Sequence, residues 1–394
     1  MRIFHTSDWH LGRSLLGFDL TPAFERWGAA VVEICRTEKV DAVVVAGDVY
    51  DRSVPPAHMV ELLSDILRQL TEFTQVVLIS GNHDSAQRLG FASPLLRSGL
   101  SIRTNSLDCG TPIELADGNG NLGAQLYAVP YLVPDIERSK LAPDAEPLAR
   151  SHSTVMAAAL ERVQHGITAH ANRAVPQLLT AHTFVVGAEK SESELEIGIG
   201  GVDSVPASLF RLGAATGSGP LDYVALGHLH GPQQVGGEDN PLMRYSGSPI
   251  AFSFSEQNHH KSGVLLDFTA AGTAPQLELI PHEPWRPLAT LTDTLDNLLS
   301  RKYDDYSDHF LRIFVTDPIR PEHLNAKLNN RFRYVLEVQH QTRETMAIMR
   351  ELRRQRTDPL AVVHEFFANA GGRELTATEK EIVTTHWNSA KGEA

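Results

Sequence analysis

Five short apolar runs stop at side chains that do chemistry: RIFHTSD (2–8), DAVVVAGD (41–48), QVVLISGN (75–82), QLLTAHT (177–183) and LDYVALGH (221–228). Each is rich in Val, Ile or Leu without clean alternation, the pattern of strands covered on both faces. Helical stripes separate several of them. PAFERWGAAVVEICRTEK (22–39) carries Phe24, Trp27, Val31 and Ile34 on one side. HMVELLSDILRQLTE (58–72) carries Met59, Leu62, Leu63, Ile66 and Leu70, and STVMAAALERVQHGITAHAN (153–172) reads as a third helix. Strand–helix–strand alternation predicts an α/β sandwich. Ligands of such sheets bind beyond the carboxyl ends of the strands.

The residues at those ends form one chemical set. Asp8 and His10 follow the first run, Asp48 the second, and Asn82, His83 and Asp84 the third; His182 ends the fourth, and His228 and His230 follow the fifth. Asp8, His10, Asp48, Asn82, His182, His228 and His230 offer oxygen and nitrogen donors without thiolate. That mixture suits Mn²⁺, Fe²⁺ or Zn²⁺ better than Ca²⁺, which takes oxygens. Seven donors are too many for one tetrahedral site. With one carboxylate shared they divide between two ions. In an extended segment His228 and His230 point the same way, about 7 Å apart. A bend at Gly227 and Gly231 brings them closer, so that each can serve one of two adjacent ions.

The order D-x-H, GD-x-x-D, GNHD, a lone His and GH-x-H resembles the binuclear metallophosphoesterases. Further tracts resemble one branch of them, the bacterial SbcD-type nuclease subunits: SDWHLG (7–12), AHTFVVGAEKSESELEIGIGGVD (181–203), YSGSPIAFSF (245–254) and DPIRPEHL (317–324). The resemblance spans nearly the whole chain. It implies a four-layer αββα metallophosphoesterase sandwich with a small α+β cap domain and a C-terminal helical tail. It assigns Asp8, His10, Asp48 and His230 to one metal and Asp48, Asn82, His182 and His228 to the other, with Asp48 as the bridge. His83 would stand beside the scissile phosphate as a catalytic residue, with Asp84 orienting its imidazole. Archaeal and eukaryotic relatives place a second catalytic His where this chain has Asp51, which leaves the role of Asp51 open. The implied cofactors are two divalent ions, Mn²⁺ with Mg²⁺ as the alternative. The implied activities are 3′-to-5′ exonuclease action on duplex DNA and endonuclease action on single strands or hairpins. The implied partners are DNA, an SbcC-type ATPase and a second copy of the nuclease.

Three segments are expected. Residues 1–280 form the phosphoesterase domain. PHEPWRP (281–287), with three prolines, opens a small α+β DNA-capping domain at 281–340, in which HFLRIFV and RYVLEVQ read as strands and DTLDNLLSRKY and PEHLNAKLNNRF as helices. The YSGSPIAFSFS, GVLLDF and PQLELIPH stretches before it read as strands. Residues 341–394 form a helical tail expected to bind the ATPase. Within it, DPLAVVHEFFANAGG has Asp358 as N-cap, Pro359 at the first helical position and Gly371 and Gly372 as a stop. TATE (376–379) is a capping-box pattern opening a last helix.

Composition limits the partners. The formal net charge of −13 argues against broad phosphate binding by the isolated chain, which needs clustered Lys and Arg. An ATPase partner could supply positive surface. Two cysteines, Cys35 and Cys109, with no CxxC pairing suit a reducing cytoplasm. No apolar stretch nears the roughly 20 residues of a membrane span, and the N-terminus lacks a signal-peptide layout. The acidic run EKSESELE (189–196), the GIGG glycines (198–201) and the basic run ELRRQR (351–356) read most simply as loops or solvated faces. Two other functions remain open: a phosphomonoesterase or cyclic-nucleotide phosphodiesterase with the same metals, and a metal-free assembly scaffold.

Overall fold

The structure is a computed structural model. It describes residues 1–96, 99–142, 146–189, 191, 204–213, 220–341 and 375–391. The first strands are β1 (Arg2–Thr6), β2 (Ala42–Val45), β3 (Gln75–Ile79) and β4 (Leu100–Arg103), with helix α1 (Thr21–Thr37) between β1 and β2 and α2 (Ala57–Thr71) between β2 and β3. A second series follows: β5 (Ile113–Ala116), β6 (Leu122–Val129), helix α3 (His152–His170), β7 (Gln177–His182), β8 (Tyr223–Gly227), β9 (Gln233–Val235) and β10 (Met243–Tyr245). Strands β11 (Ser262–Asp267) and β12 (Gln276–Pro281) return to the first series.

Two six-stranded sheets result. The first has the order β12-β11-β1-β2-β3-β4 and the second β9-β10-β8-β7-β6-β5. The centre of each is parallel: β1 to β2 to β3 to β4, and β6 to β7 to β8 to β10. The outer strands β11, β12, β5 and β9 are antiparallel additions. The sheets face each other through Ile3, Val44, Val77 and Ile79 on one side and Leu126, Ala128, Leu178 and Ala225 on the other. Helix α3 covers the outer face of the second sheet, setting Val155, Ala159 and Val163 against Tyr127, Leu179 and Val224. Helices α1 and α2 touch closely on the first sheet's side: a Cβ on Gly28 would lie 2.7 Å from Cδ1 of Ile66. This is the expected four-layer αββα order. It also explains the unbroken Val and Ile runs, because the central strands are covered on both faces.

Two stretches depart from the sequence reading. YSGSPIAFSFS is not a strand: only Tyr245 belongs to β10, and a 3₁₀ turn at Phe254–Glu256 follows an irregular segment. Conversely, β6 carries no strand-end motif, yet it is the longest strand described and lies beside β7.

The chain divides into Met1–Leu288 and Ala289–Ala394. The second unit holds a three-stranded sheet whose outer strands, at Leu288–Asp293 and Val335–His340, flank the Phe310–Val315 strand. Helices Leu295–Leu299 and Leu324–Arg331 bury Leu295, Leu298, Leu324 and Leu328 against Leu311, Ile313 and Val315. The TATE pattern forms a capping box: the Thr376 amide donates to Glu379 Oε2 at 2.8 Å, and the Glu379 amide to Thr376 Oγ1 at 3.4 Å. A helix at Ala377–Lys391 follows it. The DPLAVVHEFFANA helix and the 189–201 acidic and glycine runs, apart from residues 189 and 191, lie outside the described residues.

Candidate metal centre

All seven predicted ligands meet where the two parallel sheets end. Asp8 and His10 leave β1, Asp48 leaves β2 and Asn82 leaves β3; His182 closes β7, and His228 and His230 follow β8. The first-sheet and second-sheet contributors face each other because β8 approaches β2 closely. A Cβ on Gly227 would fall 1.9 Å from the Ala46 carbonyl oxygen, so only glycine permits that approach. Gly81 has the same constraint, since its Cβ would lie 2.1 Å from Asp48 Oδ1. The glycines of GNHD and GHLH are therefore clearance for the neighbouring strand and its carboxylate.

The backbone here is strained. Asp8, His10, Asp48 and His228 have φ values of 54°, 45°, 49° and 113°. Non-glycine residues are uncommon in this region, and their clustering at one spot marks a functional site. The strain is held by main-chain bonds: the Asp8 amide donates to the Gly47 oxygen at 3.0 Å, and the His10 amide to the Asp48 oxygen at 2.9 Å.

Two donor clusters share Asp48. In one, His10 Nε2 and His230 Nε2 lie 3.1 Å apart, and ligand atoms of Asp8, His10 and His230 all fall within 4.8 Å of one another. In the other, Asn82 Oδ1 is 3.0 Å from both His182 Nε2 and His228 Nδ1. Asp48 Oδ2 is 3.5 Å from His10 Nε2 and 3.5 Å from His182 Nε2. Asp8 lies between the clusters as well: its carboxylate groups with Asp48 and His182, and both its oxygens accept the His228 amide at 3.1 Å. The His182 ring donates from Nδ1 to the Ala46 carbonyl at 2.8 Å, which directs the Nε2 lone pair at Asn82 and Asp48.

The electrostatics suit cations. Burial pushes the Asp8 carboxyl up to about 6, with His182 and His230 opposing and the Asp48 charge adding to the rise. Burial would also raise Asp48, but His182 and His10 outweigh it and hold the carboxyl well below its usual range. Burial alone would lower His182; Asp48 and Asp8 raise it to about 9. The His10 imidazole is driven well below its usual value by burial, and its buried Nδ1 has no hydrogen-bond partner among the described residues. With the His182 proton released on binding, imidazole nitrogens converging around buried carboxylates make a donor set that divalent ions fit.

His83 lies beside the clusters, its ring edge-on to His10 at 4.6 Å. Its amide donates to Asp48 Oδ1 at 2.9 Å, and its Nδ1 donates to the Asp51 carbonyl at 2.8 Å. Asp84 does not orient that imidazole. Its carboxylate accepts the amides of Gly81 at 2.9 Å, Tyr50 at 2.9 Å and Val49 at 3.1 Å, tying the β3 loop to the β2 loop. Burial and the Asp48 charge lift the Asp84 carboxyl to about 6. The orienting contact expected of Asp84 is made instead by the Asp51 main chain.

Residues 1–151 match the calcineurin-like phosphoesterase family. Over greater lengths the chain is similar to curated proteins of one kind. It is 31% identical over 306 residues to the SbcD subunit of nuclease SbcCD from Escherichia coli (strain K12), covering 76% of this chain and 73% of that one. It is 30% identical over 363 residues to the SbcD subunit of Bacillus subtilis (strain 168), covering 88% and 89%. The chain belongs to the SbcD nuclease family. The Staphylococcus epidermidis member matches at 27% identity over 394 residues, 97% of both chains. The phosphoesterase match covers β1, β2 and β3 with Asp8, His10, Asp48 and Asn82, and the SbcD matches run on well past the strands that carry His182, His228 and His230.

Several neighbours of the site are not among the predicted site residues. Ser7 Oγ donates to Asp8 Oδ2 at 2.5 Å and contacts Ser246 Oγ at 2.8 Å. The Tyr131 ring lies nearly parallel to His228 at 6.4 Å. Glu256 and Lys261, buried together, reach His230 from the far side. The sequence signals that pair only weakly: with Arg244 they are the acidic and basic residues of an otherwise uncharged stretch at 240–265.

Proposed function

We propose that this chain is the nuclease subunit of an SbcCD-type complex, a hydrolase that cuts DNA phosphodiester bonds at a two-metal centre. The carrying observation is the placement of Asp48 Oδ2 at 3.5 Å from a ring nitrogen in each of two donor clusters. Asp8, His10, Asp48 and His230 would hold one divalent ion and Asp48, Asn82, His182 and His228 the other, with Mn²⁺ the favoured metal. Such ions supply Lewis acidity toward the phosphate and an activated water for in-line attack. His83 places charge or a proton at the phosphate, and its Nδ1–H bond to Asp51 leaves Nε2 for that task. In this reading residues 1–280 are catalytic, 281–340 cap the DNA and 341–394 bind an SbcC-type ATPase. The substrate actions are 3′-to-5′ duplex exonuclease and single-strand or hairpin endonuclease, within a nuclease homodimer in the cytoplasm. Both cysteines are free and buried, in keeping with a reducing compartment. Among the described residues no helix is long and apolar enough to cross a membrane.

The test is cleavage of linear duplex DNA and of p-nitrophenyl phosphate with Mn²⁺, Mg²⁺ or chelator, with and without the ATPase. DNA cleavage that needs the metal and rises with the ATPase is expected. Efficient turnover of the monoester with inert DNA would favour the phosphomonoesterase reading instead.

A further inference from the structure

The buried segment after β10 contains an ion pair that the metal chemistry does not use. Glu256 is 1% exposed and Lys261 8%, and Lys261 Nζ lies 2.5 Å from Glu256 Oε2. Lys261 also donates to Ser248 Oγ at 2.8 Å and to the His230 carbonyl oxygen at 2.9 Å. The other Glu256 oxygen, Oε1, faces His230 Nδ1 at 3.5 Å and accepts the Phe252 amide at 3.4 Å. Both ends of His230 are thus gripped by one pair: its main chain by the ammonium and its ring by the carboxylate. Burying two charges is costly, and an apolar pair would serve stability as well or better. Position accounts for the arrangement better than stability does. A carboxylate at Nδ1 fixes the imidazole tautomer, so that the Nε2 lone pair points toward His10 Nε2, 3.1 Å away.

We propose that Glu256 and Lys261 are positioning residues for the ion held by Asp8, His10, Asp48 and His230. Glu256 sets the His230 tautomer and ring plane, and Lys261 fixes the main chain beneath it. This rests on His230 being a ligand, as in the proposed two-metal centre. It explains why YSGSPIAFSFSEQNHHK is irregular: the chain leaves the sheet after Tyr245 and turns at Phe254–Glu256, which brings Glu256 back beneath His230.

Mn²⁺ titration of the full-length protein, followed by calorimetry, tests the proposal beside thermal melting in chelator. The wild type should bind two equivalents; if it does not, the ligand reading fails before this one is reached. Glu256→Gln should weaken one equivalent by about 10–100-fold and leave the other near its wild-type affinity. Glu256→Asp should recover part of the loss. Because Glu256→Gln leaves Lys261 buried without its counter-charge, the neutral pair Glu256→Gln with Lys261→Met is the second variant. It should melt near the wild type in chelator yet show the same loss at one ion. Two equivalents at wild-type affinity in either folded variant would overturn the proposal. So would equal weakening of both ions, which is what a merely structural role would give.

Discussion

Nδ1 of His83 lies 2.8 Å from the main-chain oxygen of Asp51. A carbonyl can only accept, so Nδ1 carries a proton whether the ring is neutral or charged, and Nε2 is the nitrogen left to face the phosphate. A main-chain acceptor survives substitution of its side chain. His83→Gln should therefore lower kcat for DNA cleavage by about 10²–10⁴-fold with metal content unchanged. Asp51→Ala should keep the His83 tautomer and cost clearly less. Steady-state kinetics and metal analysis of both variants check this, and an Asp51→Ala loss as deep as that of His83→Gln would place the carboxylate itself in the chemistry.

Among the described ion pairs, Asp48 is the only side chain 3.5 Å from a ring nitrogen in each cluster. Asp48→Ala should remove at least one ion and abolish cleavage while circular dichroism stays native. Two tightly bound Mn²⁺ in that variant would refute the bridge.

Gly81 is packed against Asp48, where an added Cβ would sit 2.1 Å from Oδ1 and 2.3 Å from the amide nitrogen. The amide cannot swing away as a side-chain tip could. Gly81→Ala should cost about 1–3 kcal/mol, as overpacking does, and should also lose metal. Gly237→Ala is the control and should do neither, since no described atom lies within 4 Å of its Cβ position. Denaturant melts with metal analysis separate the two.

His5 sits between the sheets. Its Nε2 donates to the Leu226 carbonyl at 3.1 Å, and its Nδ1 accepts from the Tyr223 hydroxyl at 3.1 Å. Burial lowers its pKa to about 3, against the Leu226 bond that raises it. The folded pKa is depressed for a base, so between about 6.5 and 3 the unfolded chain binds the extra proton. Stability contributed by neutral His5 is complete above that window and falls as the pH drops through it, by up to about 1.4 kcal/mol per pH unit. His5→Gln can keep both bonds without titrating. Its stability should fall less steeply than that of the wild type between pH 6.5 and 4, as measured by denaturant melts. Parallel profiles would show that His5 is not the group responsible.

The ligands are legible in the sequence because all seven sit at or just beyond the ends of five apolar runs, and a parallel sheet gathers strand ends without further instruction. Helix α2 is legible for a similar reason: Met59, Leu63, Ile66 and Leu70 repeat at the helical period and are buried as that period requires. Asp84 is different. Adjacency to His83 in the sequence suggests contact, but its partners, the amides of Val49 and Tyr50, lie in another strand's loop, and only tertiary approach brings them there. Glu256 is hidden because it belongs to no repeated pattern, and its partner His230 is 26 residues away. Strand β6 escapes notice because Gly123, Ala124 and Gln125 dilute its apolar signal, although Gln125 is buried and bonded to the His170 carbonyl at 3.2 Å.

Leu360, Val363, Phe366 and Phe367 recur at helical spacing in a segment outside the described residues. Beyond them, the capped helix at Ala377–Lys391 leaves Ile382 53% exposed. If residues 358–370 form the helix that their sequence predicts, its apolar face would gain stability in a partner's groove, with the polar stretch TRETMAIMRELRRQR as the expected tether. Neither feature includes a predicted ligand, all of which lie at or before residue 230. Deleting residues 358–394 should therefore abolish co-purification with the SbcC-type ATPase. Metal content and partner-independent cleavage should remain near the wild-type level. Tight ATPase binding by the truncated chain would move the interface elsewhere, and loss of bound metal would show that the tail supports the catalytic fold instead.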